Sequence, residues 1–421
     1  MNRVLIVSYD FPPTGGPGVQ RVAKFARYLP RYGWEPVVLT TAHGRPIPRD
    51  DTLLPELSGV EIHRTAAPHP HRMAATLKRL FGSRSDPERF TADLEGGRRG
   101  PWSPAAWLVP DGKLIWFPFA LAWALTRPPR ARAAVVLSSL PMPSTAIIGD
   151  RIARAWCVPH VIDYRDPWTG AFYMPTRWPA LQRLERGWER RLVSRASAVV
   201  AVPGAAESLP EVDVPVSVID NGYDETDFIG VEARRAAGGF VIAHLGLLWK
   251  QRGLEPLAAA LQQLGSTRPE LVERVHFVQA GRTDDHVARQ LDRFARKIGV
   301  TRLSTLPHRD AIACMLGADL LYLPTGHDHV PGKTYEYLRS GRPILALGAR
   351  QSHLHRLLQQ TGGGALFDRD DTAAIARYIE ALMDDPNDSR RSKPQAIARY
   401  SRAALTASLA EVLDHALSRT R

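Results

Sequence analysis

Cysteine and long apolar runs are both scarce in this 421-residue chain. Its two cysteines, Cys157 and Cys314, cannot build a disulfide framework, so we expect a protein of the reducing cytosol. The apolar run within residues 1–8 is too short for a secretory signal and is typical of a buried strand. The longest run elsewhere, residues 114–126, is shorter than the ~20 residues that span a bilayer and contains Pro118. The sequence therefore predicts no transmembrane helix.

Several common catalytic and binding patterns do not occur in the sequence either. The 14 histidines are scattered, and the His-x-His pairs at 69–71 and 327–329 have no Cys or helical His partner at the spacing of a zinc site. No Gly-x-Ser-x-Gly nucleophile elbow is present. The sequence also has no helix-turn-helix or RNA-recognition signature. We therefore expect no metal site and no nucleic-acid partner.

Positive charge is abundant and unevenly distributed. The chain carries a net charge of +12, and residues 64–154 alone hold 14 Lys/Arg and 6 Asp/Glu. The same region contains Trp102, Trp107, Trp116 and Trp123. Basic residues beside tryptophan suit the interface of an anionic membrane. Solvated arginines next to core aromatics explain the composition equally well.

Short Val/Ile/Leu-rich runs alternate regularly with longer helical patterns. Continuous apolar strands separated by helices indicate parallel sheets covered on both faces, and two such series indicate two doubly wound α/β domains. The Asn221-Gly222 turn and the weakly hydrophobic stretch 225–239 predict a domain boundary and a linker. The strands are predicted at residues 4–8, 37–40, 60–63, 134–138, 160–164, 198–202, 216–219, 240–245, 275–280, 301–306, 320–323, 344–347 and 364–367.

Two glycines, Gly15 and Gly16, separate the first strand from an amphipathic helix. Glycines at such a turn let backbone N–H groups approach a phosphate, and the helix N-terminus favours negative charge. A tight turn is the plainer interpretation. A dinucleotide site is disfavoured because the Gly-x-Gly-x-x-Gly spacing is missing and the next strand ends in Leu39-Thr40-Thr41 without an acid.

A second polar cluster, Asp163, Arg165 and Asp166, lies at the predicted carboxyl end of the strand at 160–164. Open α/β sheets bind ligands at this edge, so we expect these side chains to project into a ligand cleft. A structural Asp–Arg pair that holds the loop is the alternative.

A third cluster combines Gly246 with Lys250 and Arg252, just before a predicted helix. Cations near a helix N-terminus are electrostatically unfavourable, which favours a function over two merely exposed charges. Lysine or arginine here could stabilise the negative charge that develops on a departing diphosphate.

The most informative stretch runs from Asp328 to Pro343. Asp328 precedes Glu336 by eight residues, and Glu336 lies in the first turn of a predicted helix that ends at Ser340-Gly341. Asp328 could accept sugar hydroxyls and Glu336 the two hydroxyls of a ribose, although an acid in the first turn also suits the helix dipole. Gly332 and Lys333 stand where a backbone N–H and an ammonium could meet phosphate.

These motifs resemble those of retaining, family-4-type glycosyltransferases. Residues 328–336 are similar to the family's Glu-x7-Glu donor motif, with Asp328 in place of the first Glu. The likeness extends over nearly the whole chain, although Leu247 stands where the family often has an Arg and Arg252-Gly253 replaces a Lys-Gly. Sequences similar to Arg165–Trp168 occur in a branch that builds bacterial surface polysaccharides.

The resemblance implies a GT-B fold, that is, two Rossmann-like domains facing across a cleft. The acceptor-side domain would span residues 1–222 and the donor domain 223–395, and a last helix within 396–421 would cross back to the first domain. The implied activity is transfer of a sugar, with retention, from a nucleoside-diphosphate sugar to an acceptor hydroxyl. The basic and tryptophan-rich residues 64–154 favour a lipid-linked saccharide as the acceptor. The implied residues are catalytic Lys250, Arg252, Asp328 and Asp166, and donor-binding Gly15, Gly16, Gly246, His308, Gly332, Lys333 and Glu336.

No cofactor or metal is implied, and the location implied is cytoplasmic, at or near the inner face of the plasma membrane. Other enzymes of the same fold, such as a sugar-nucleotide epimerase or a transferase to a small soluble acceptor, remain alternatives. So does a non-catalytic subunit that binds a sugar nucleotide.

Overall fold

The computed structural model describes residues 1–42, 49–67, 107, 109–169, 177–325, 330–385 and 392–419. The chain divides into two compact units. The first unit is Met1–Asp220 with Leu405–Arg421, and the second is Asn221–Ala404. Asp328 of the donor motif and Trp102 lie outside the described residues, as do the His-x-His pairs at 69–71 and 327–329.

Every predicted strand is present, with ends displaced by three residues or fewer. The strands are β1 (Asn2–Val7), β2 (Trp34–Thr41), β3 (Glu61–Thr65), β4 (Val135–Ser139), β5 (His160–Tyr164), β6 (Ala198–Ala201), β7 (Val216–Val218), β8 (Phe240–Leu245), β9 (Val275–Ala280), β10 (Gly299–Leu303), β11 (Leu320–Pro324), β12 (Ile344–Leu347) and β13 (Gly364–Phe367).

The helices of the described residues are α1 (Pro17–Tyr28), α2 (Phe117–Leu125), α3 (Pro143–Trp156), α4 (Pro179–Val193), α5 (Glu225–Phe228), α6 (Glu255–Thr267), α7 (Pro269–Glu273), α8 (Asp285–Phe294), α9 (His308–Gly317), α10 (Lys333–Ser340), α11 (His353–Thr361), α12 (Thr372–Asp384), α13 (Pro394–Ile397) and α14 (Arg402–Ser418). Among them, none is both long enough and apolar enough to cross a membrane.

Each unit is built on one parallel sheet. The order is β3-β2-β1-β4-β5-β6-β7 in the first unit and β10-β9-β8-β11-β12-β13 in the second, and every strand pair is parallel. The strand order reverses between β1 and β4, and again between β8 and β11. In doubly wound sheets, ligands bind at the carboxyl ends of the strands beside such a reversal.

Apolar residues on both faces of the strands explain why the sheets are covered by helices. In β1, Val4 and Ile6 pack into one buried cluster while Leu5 and Val7 pack into another on the opposite face. In β8, Val241 and Phe240 likewise belong to two different clusters. A strand of this kind is stable only when helices remove both faces from water.

Helix α14 begins in the second unit, and most of its length belongs to the first. Leu405, Leu409 and Leu413 are buried in the same cluster as Val4 and Ile6 of β1, and each such leucine contributes about 1.5–3 kcal/mol. The Trp34 indole N–H also donates a hydrogen bond to Asp414 at 3.1 Å. The spacing of four residues between the leucines places them on one helix face.

The sequence predicted a linker at residues 225–239, but the structure shows that this stretch also contains a helix. It begins with α5, whose first turn is capped by the Asp224 carboxylate accepting from the Thr226 N–H at 2.9 Å. Phe228 at the end of α5 is buried in the core of the second unit. A capping acid and one buried aromatic are enough to hold this polar segment against the unit.

Candidate functional site

The reversal of strand order in the second unit brings together two loops that are far apart in sequence. The loop after β8 begins at Gly246, and the segment after β11 leads through residues 330–332 into α10. Gly246 has a φ of 119°, a conformation that favours glycine. A Cβ on Gly246 would lie 2.7 Å from the Lys333 Nζ. Gly246 and Lys333, both predicted donor-binding residues, are therefore neighbours.

Lys333 is held at the end of β8 by two acceptors. Its Nζ donates to the Leu245 carbonyl at 2.7 Å and to the His244 Nε2 at 3.3 Å. The His244 Nδ1 lies 2.8 Å from the Tyr322 carbonyl, and because a carbonyl only accepts, Nδ1 carries the proton. Burial, and then the Lys333 charge, lower the pKa of His244 well below its ordinary value. A neutral His244 thus orients the ammonium without neutralising it.

Arg252 supplies a second cation and is almost fully enclosed. Its side chain lies at the end of a single 3₁₀ turn, Lys250–Arg252, is 8% exposed, and stacks over the Trp249 ring at 4.4 Å. Its Nε is buried and has no hydrogen-bond partner among the described residues. Burial lowers the pKa of Arg252 to about 10. A nearly enclosed guanidinium that has no anionic partner among the described residues is costly to the fold.

The charge of Arg252 acts on Lys333. Burial, followed by the charge of Arg252, lowers the pKa of Lys333 to about 7, while Glu336 acts in the opposite direction. Neither cation forms a salt bridge within the described part of the chain. Thr334, next to Lys333 in α10, also has a buried hydroxyl without a partner among the described residues. This concentration of positive charge and free donors is suited to an anion.

Lys250, the other predicted catalytic cation, is exposed. Its backbone N–H donates to the Asp284 carboxylate at 2.9 Å, and the same carboxylate caps α8 by accepting from the Val287 N–H at 2.8 Å. The structure therefore fixes the backbone of Lys250 and leaves its ammonium at the surface, in contrast to the enclosed Arg252.

Glu336 lies in the first turn of α10, as predicted, and is half-buried. Its Oε1 accepts from the His308 Nε2 at 2.8 Å, and the His308 Nδ1 lies 3.9 Å from Asp227 Oδ2. No side chain caps the start of α10, where Gly332 is the first residue outside the helix. His308, another predicted donor-binding residue, lies against Glu336. The sequence did not indicate this pairing.

In the first unit, Gly16 is the residue before α1 and has a φ of 117°. Gly15 and Gly16 follow β1 at the reversal of strand order, as the phosphate-binding interpretation requires. Asp166 follows β5 and is half-buried. Burial raises its pKa, with Arg165 opposing and Asp163 reinforcing the shift.

Asp163 does not project into a ligand cleft, so that expectation is wrong. Its carboxylate is buried and bound by Arg21 at 3.0 Å and by the Ser139 hydroxyl at 2.8 Å. Arg165 is also engaged, since its guanidinium donates to the Leu140 and Gly18 carbonyls. Arg21, on α1, was not singled out from the sequence because a helical arginine is usually exposed.

Sequence reasoning missed His244 and Asp227. A signal for His244 existed, because a histidine inside an otherwise apolar strand must find a buried partner. Asp227 was not considered because it lies within residues 225–239, which the sequence predicted to be a linker.

Comparisons with known proteins agree with this architecture. Residues 239–385, all in the second unit, match a family described as "Glycosyl transferases group 1". No curated protein matches the chain in sequence. Anabaena HepE in complex with UDP and glucose is 16% identical, with 98% of this chain and 100% of that chain covered and a TM-score of 0.62.

Two further structures are similar over all or nearly all of their length. Sucrose-phosphate synthase from Thermosynechococcus elongatus is 13% identical, with 100% of this chain and 97% of that chain covered and a TM-score of 0.59. The lipopolysaccharide outer core galactosyltransferase WaaB, in its apo form, is 10% identical, with 100% of both chains covered and a TM-score of 0.55. The chain has the GT-B fold. Together with the match of residues 239–385, this fold supports a glycosyltransferase.

Proposed function

We propose that the protein transfers a sugar, with retention at the anomeric carbon, from a nucleoside-diphosphate sugar to an acceptor hydroxyl. The donor binds to the second unit. The observation that carries this proposal is Arg252, a buried cation with an unpartnered Nε among the described residues, next to Lys333 at the β8–β11 reversal. A diphosphate supplies the negative charge that these two residues lack. The structure of HepE in complex with UDP-glucose supports the same class of ligand.

Each residue of the site has a role in this proposal. Arg252 and Lys333 bind the diphosphate, and Gly246 allows it to approach the backbone after β8. As the sugar–phosphate bond breaks, charge grows on the departing diphosphate, and fixed cations stabilise that charge more than they stabilise the bound donor. Lys250 adds a cation from the surface of the same turn. Because cations stand where a metal would neutralise the phosphates, we expect transfer to continue after metal chelation.

The remaining contacts concern the two ends of the donor. Glu336 accepts the ribose hydroxyls, and Asp328 accepts hydroxyls of the transferred sugar. Gly15, Gly16 and Asp166 of the first unit serve the acceptor and the donor phosphates. The acceptor hydroxyl attacks from the face that the diphosphate leaves, which yields retention without an enzyme nucleophile.

We further propose a lipid-linked saccharide as acceptor, reached at an anionic membrane surface. Helix α2 supports this part of the proposal. It exposes Pro118, Phe119, Ala122 and Leu125, which recur at helical spacing along one face. Arg127 and Arg130 follow the helix directly. An apolar stripe beside basic residues fits the interface of an anionic bilayer.

The proposal is tested by a thermal-shift screen of the full chain against UDP-, GDP-, ADP- and dTDP-sugars in magnesium-free buffer. One donor that clearly raises the melting temperature is the expected result, since a ligand that binds only the folded state stabilises it. Product analysis with that donor and a candidate acceptor then separates transfer from epimerisation. Absence of a shift with every donor contradicts donor binding by the protein alone.

A further inference from the structure

His308 lies between two carboxylates of the second unit. Its Nε2 is 2.8 Å from Glu336 Oε1 and its Nδ1 is 3.9 Å from Asp227 Oδ2. The three side chains are 17%, 15% and 12% exposed, in the order His308, Glu336, Asp227. A surface histidine would be more exposed and would not join two acids from different helices.

The direction of the hydrogen bond follows from the chemistry of the acceptor. An ionised carboxylate can only accept a hydrogen bond, so the His308 Nε2 carries a hydrogen and donates a hydrogen bond to Glu336. This bond restrains rotation of the carboxylate. Within the described part of the chain, the second oxygen of Glu336 has no hydrogen-bond partner, so it remains available to a ligand.

The arrangement is held by three separate elements. His308 begins α9, Glu336 lies in α10, and Asp227 lies in α5, which Asp224 caps. The Arg309 guanidinium donates to the Gly230 carbonyl and thereby ties the start of α9 to the segment after α5. The carboxylate of Glu336 is therefore oriented by contacts that exist without a ligand.

We propose that His308 is a positioning residue that fixes Glu336 to receive a ribose diol, so that the site selects ribonucleotide over 2′-deoxyribonucleotide donors. The inference rests on the proposed function, because it assumes that a nucleoside diphosphate binds at this site. A site built to bond a hydroxyl rejects the analogue that lacks it, because the protein group is then left unpaired. A carboxylate that is free to rotate discriminates less between the two nucleotides, because the entropy lost when it is ordered opposes ribonucleotide binding.

The test is calorimetric titration of the full chain with UDP, GDP and ADP, each beside its 2′-deoxy form. For the base that binds most tightly, we expect wild type to prefer the ribonucleotide by about tenfold or more, the value of one hydrogen bond to a charged group. His308→Ala should reduce this preference to about twofold, chiefly by weakening the binding of the ribonucleotide. His308→Gln, which can place an N–H near the position of Nε2, should restore most of it.

The control is Asp310→Asn, an exposed change in the first turn of the same helix, which should leave the preference unchanged. If the role of His308 were purely structural, His308→Ala would weaken the binding of both nucleotide forms equally. An unchanged preference in His308→Ala, or a wild type that binds both forms equally, overturns the inference and leaves the proposed function standing. If only a dTDP-sugar binds, the inference fails and the proposed function stands. If none of the six nucleotides binds and no donor shifts the melting temperature, both fail.

Discussion

At the scale of residues, Lys333 is the side chain whose environment most clearly predicts a measurable effect. Its pKa is lowered to about 7 from 10.5 by burial and by Arg252, so near neutral pH Lys333 is only partly protonated. The unfolded chain binds this proton more tightly, so Lys333 disfavours folding below pH 7 and this effect fades as the pH rises toward 10.5. A bound diphosphate raises the pKa of Lys333 again.

We therefore expect donor binding to take up a proton and to weaken as the pH rises from about 6 to 9. Titration of a nucleoside-diphosphate sugar in two buffers of different ionisation enthalpy measures the proton count. The sugar-linked diphosphate keeps its charge over this range, so the ligand does not mask the effect. In Lys333→Met, binding should be weaker and its pH dependence flat. A proton count of zero in wild type would show that Lys333 does not contact the phosphates.

Asp163 and Asp166 are close in sequence but should respond in opposite ways to the same substitution. Asp163 is buried and paired with Arg21 at 3.0 Å, and removal of one partner of a buried pair costs about 3–5 kcal/mol. Asp163→Asn should therefore lower the free energy of unfolding by about that amount in urea titration. Asp166→Asn should leave stability nearly unchanged, because burial already raises the pKa of Asp166, and should lower turnover instead. Equal stability of the two variants would refute the structural assignment of Asp163.

At the scale of elements, α2 carries the prediction about membranes. Phe119 is 38% and Leu125 59% exposed, and insertion of such side chains into a bilayer contributes about 1.5–3 kcal/mol each. Phe119→Ser with Leu125→Ser should lower sedimentation with vesicles of equal phosphatidylglycerol and phosphatidylcholine at least tenfold at low salt. Leu184→Ser, on α4 of the same unit and 45% exposed, is the matched control. If the wild-type protein stays in the supernatant, the proposal that it binds an anionic membrane surface is wrong.

The strands and several site residues could be predicted from the sequence, whereas some contacts within the site could not. The strands were predictable because runs such as Phe240–Leu245 are apolar except for one residue, His244, and are bounded by turn residues. Gly246, Lys333 and Glu336 could be placed in one site because loops after adjacent parallel strands share one edge. The contacts His244–Lys333 and His308–Glu336 join residues 89 and 28 positions apart. Periodicity and local motifs carry no information about pairs of this kind.

At the scale of the whole molecule, the two units share one plan but differ at the reversal of strand order. In the first unit, the Arg165 guanidinium is bound by the Leu140 and Gly18 carbonyls. In the second unit, Arg252 and Lys333 form no salt bridge within the described residues, and the Nε of Arg252 is unpartnered there. Unmatched buried charge destabilises a protein, and it is retained where function requires it. The second unit is thus the one expected to bind the donor.

The most direct test of this account is calorimetric titration of wild type and Arg252→Met with the donor found by the thermal-shift screen. We predict that the substitution weakens donor binding by about 10- to 100-fold, as expected for lost hydrogen bonds to a charged group, while the free energy of unfolding stays equal or rises. Arg268→Met changes a partly exposed arginine of the same unit that has three acidic partners, and this variant should bind the donor as wild type does. Undiminished donor binding by a folded Arg252→Met protein would contradict the central claim.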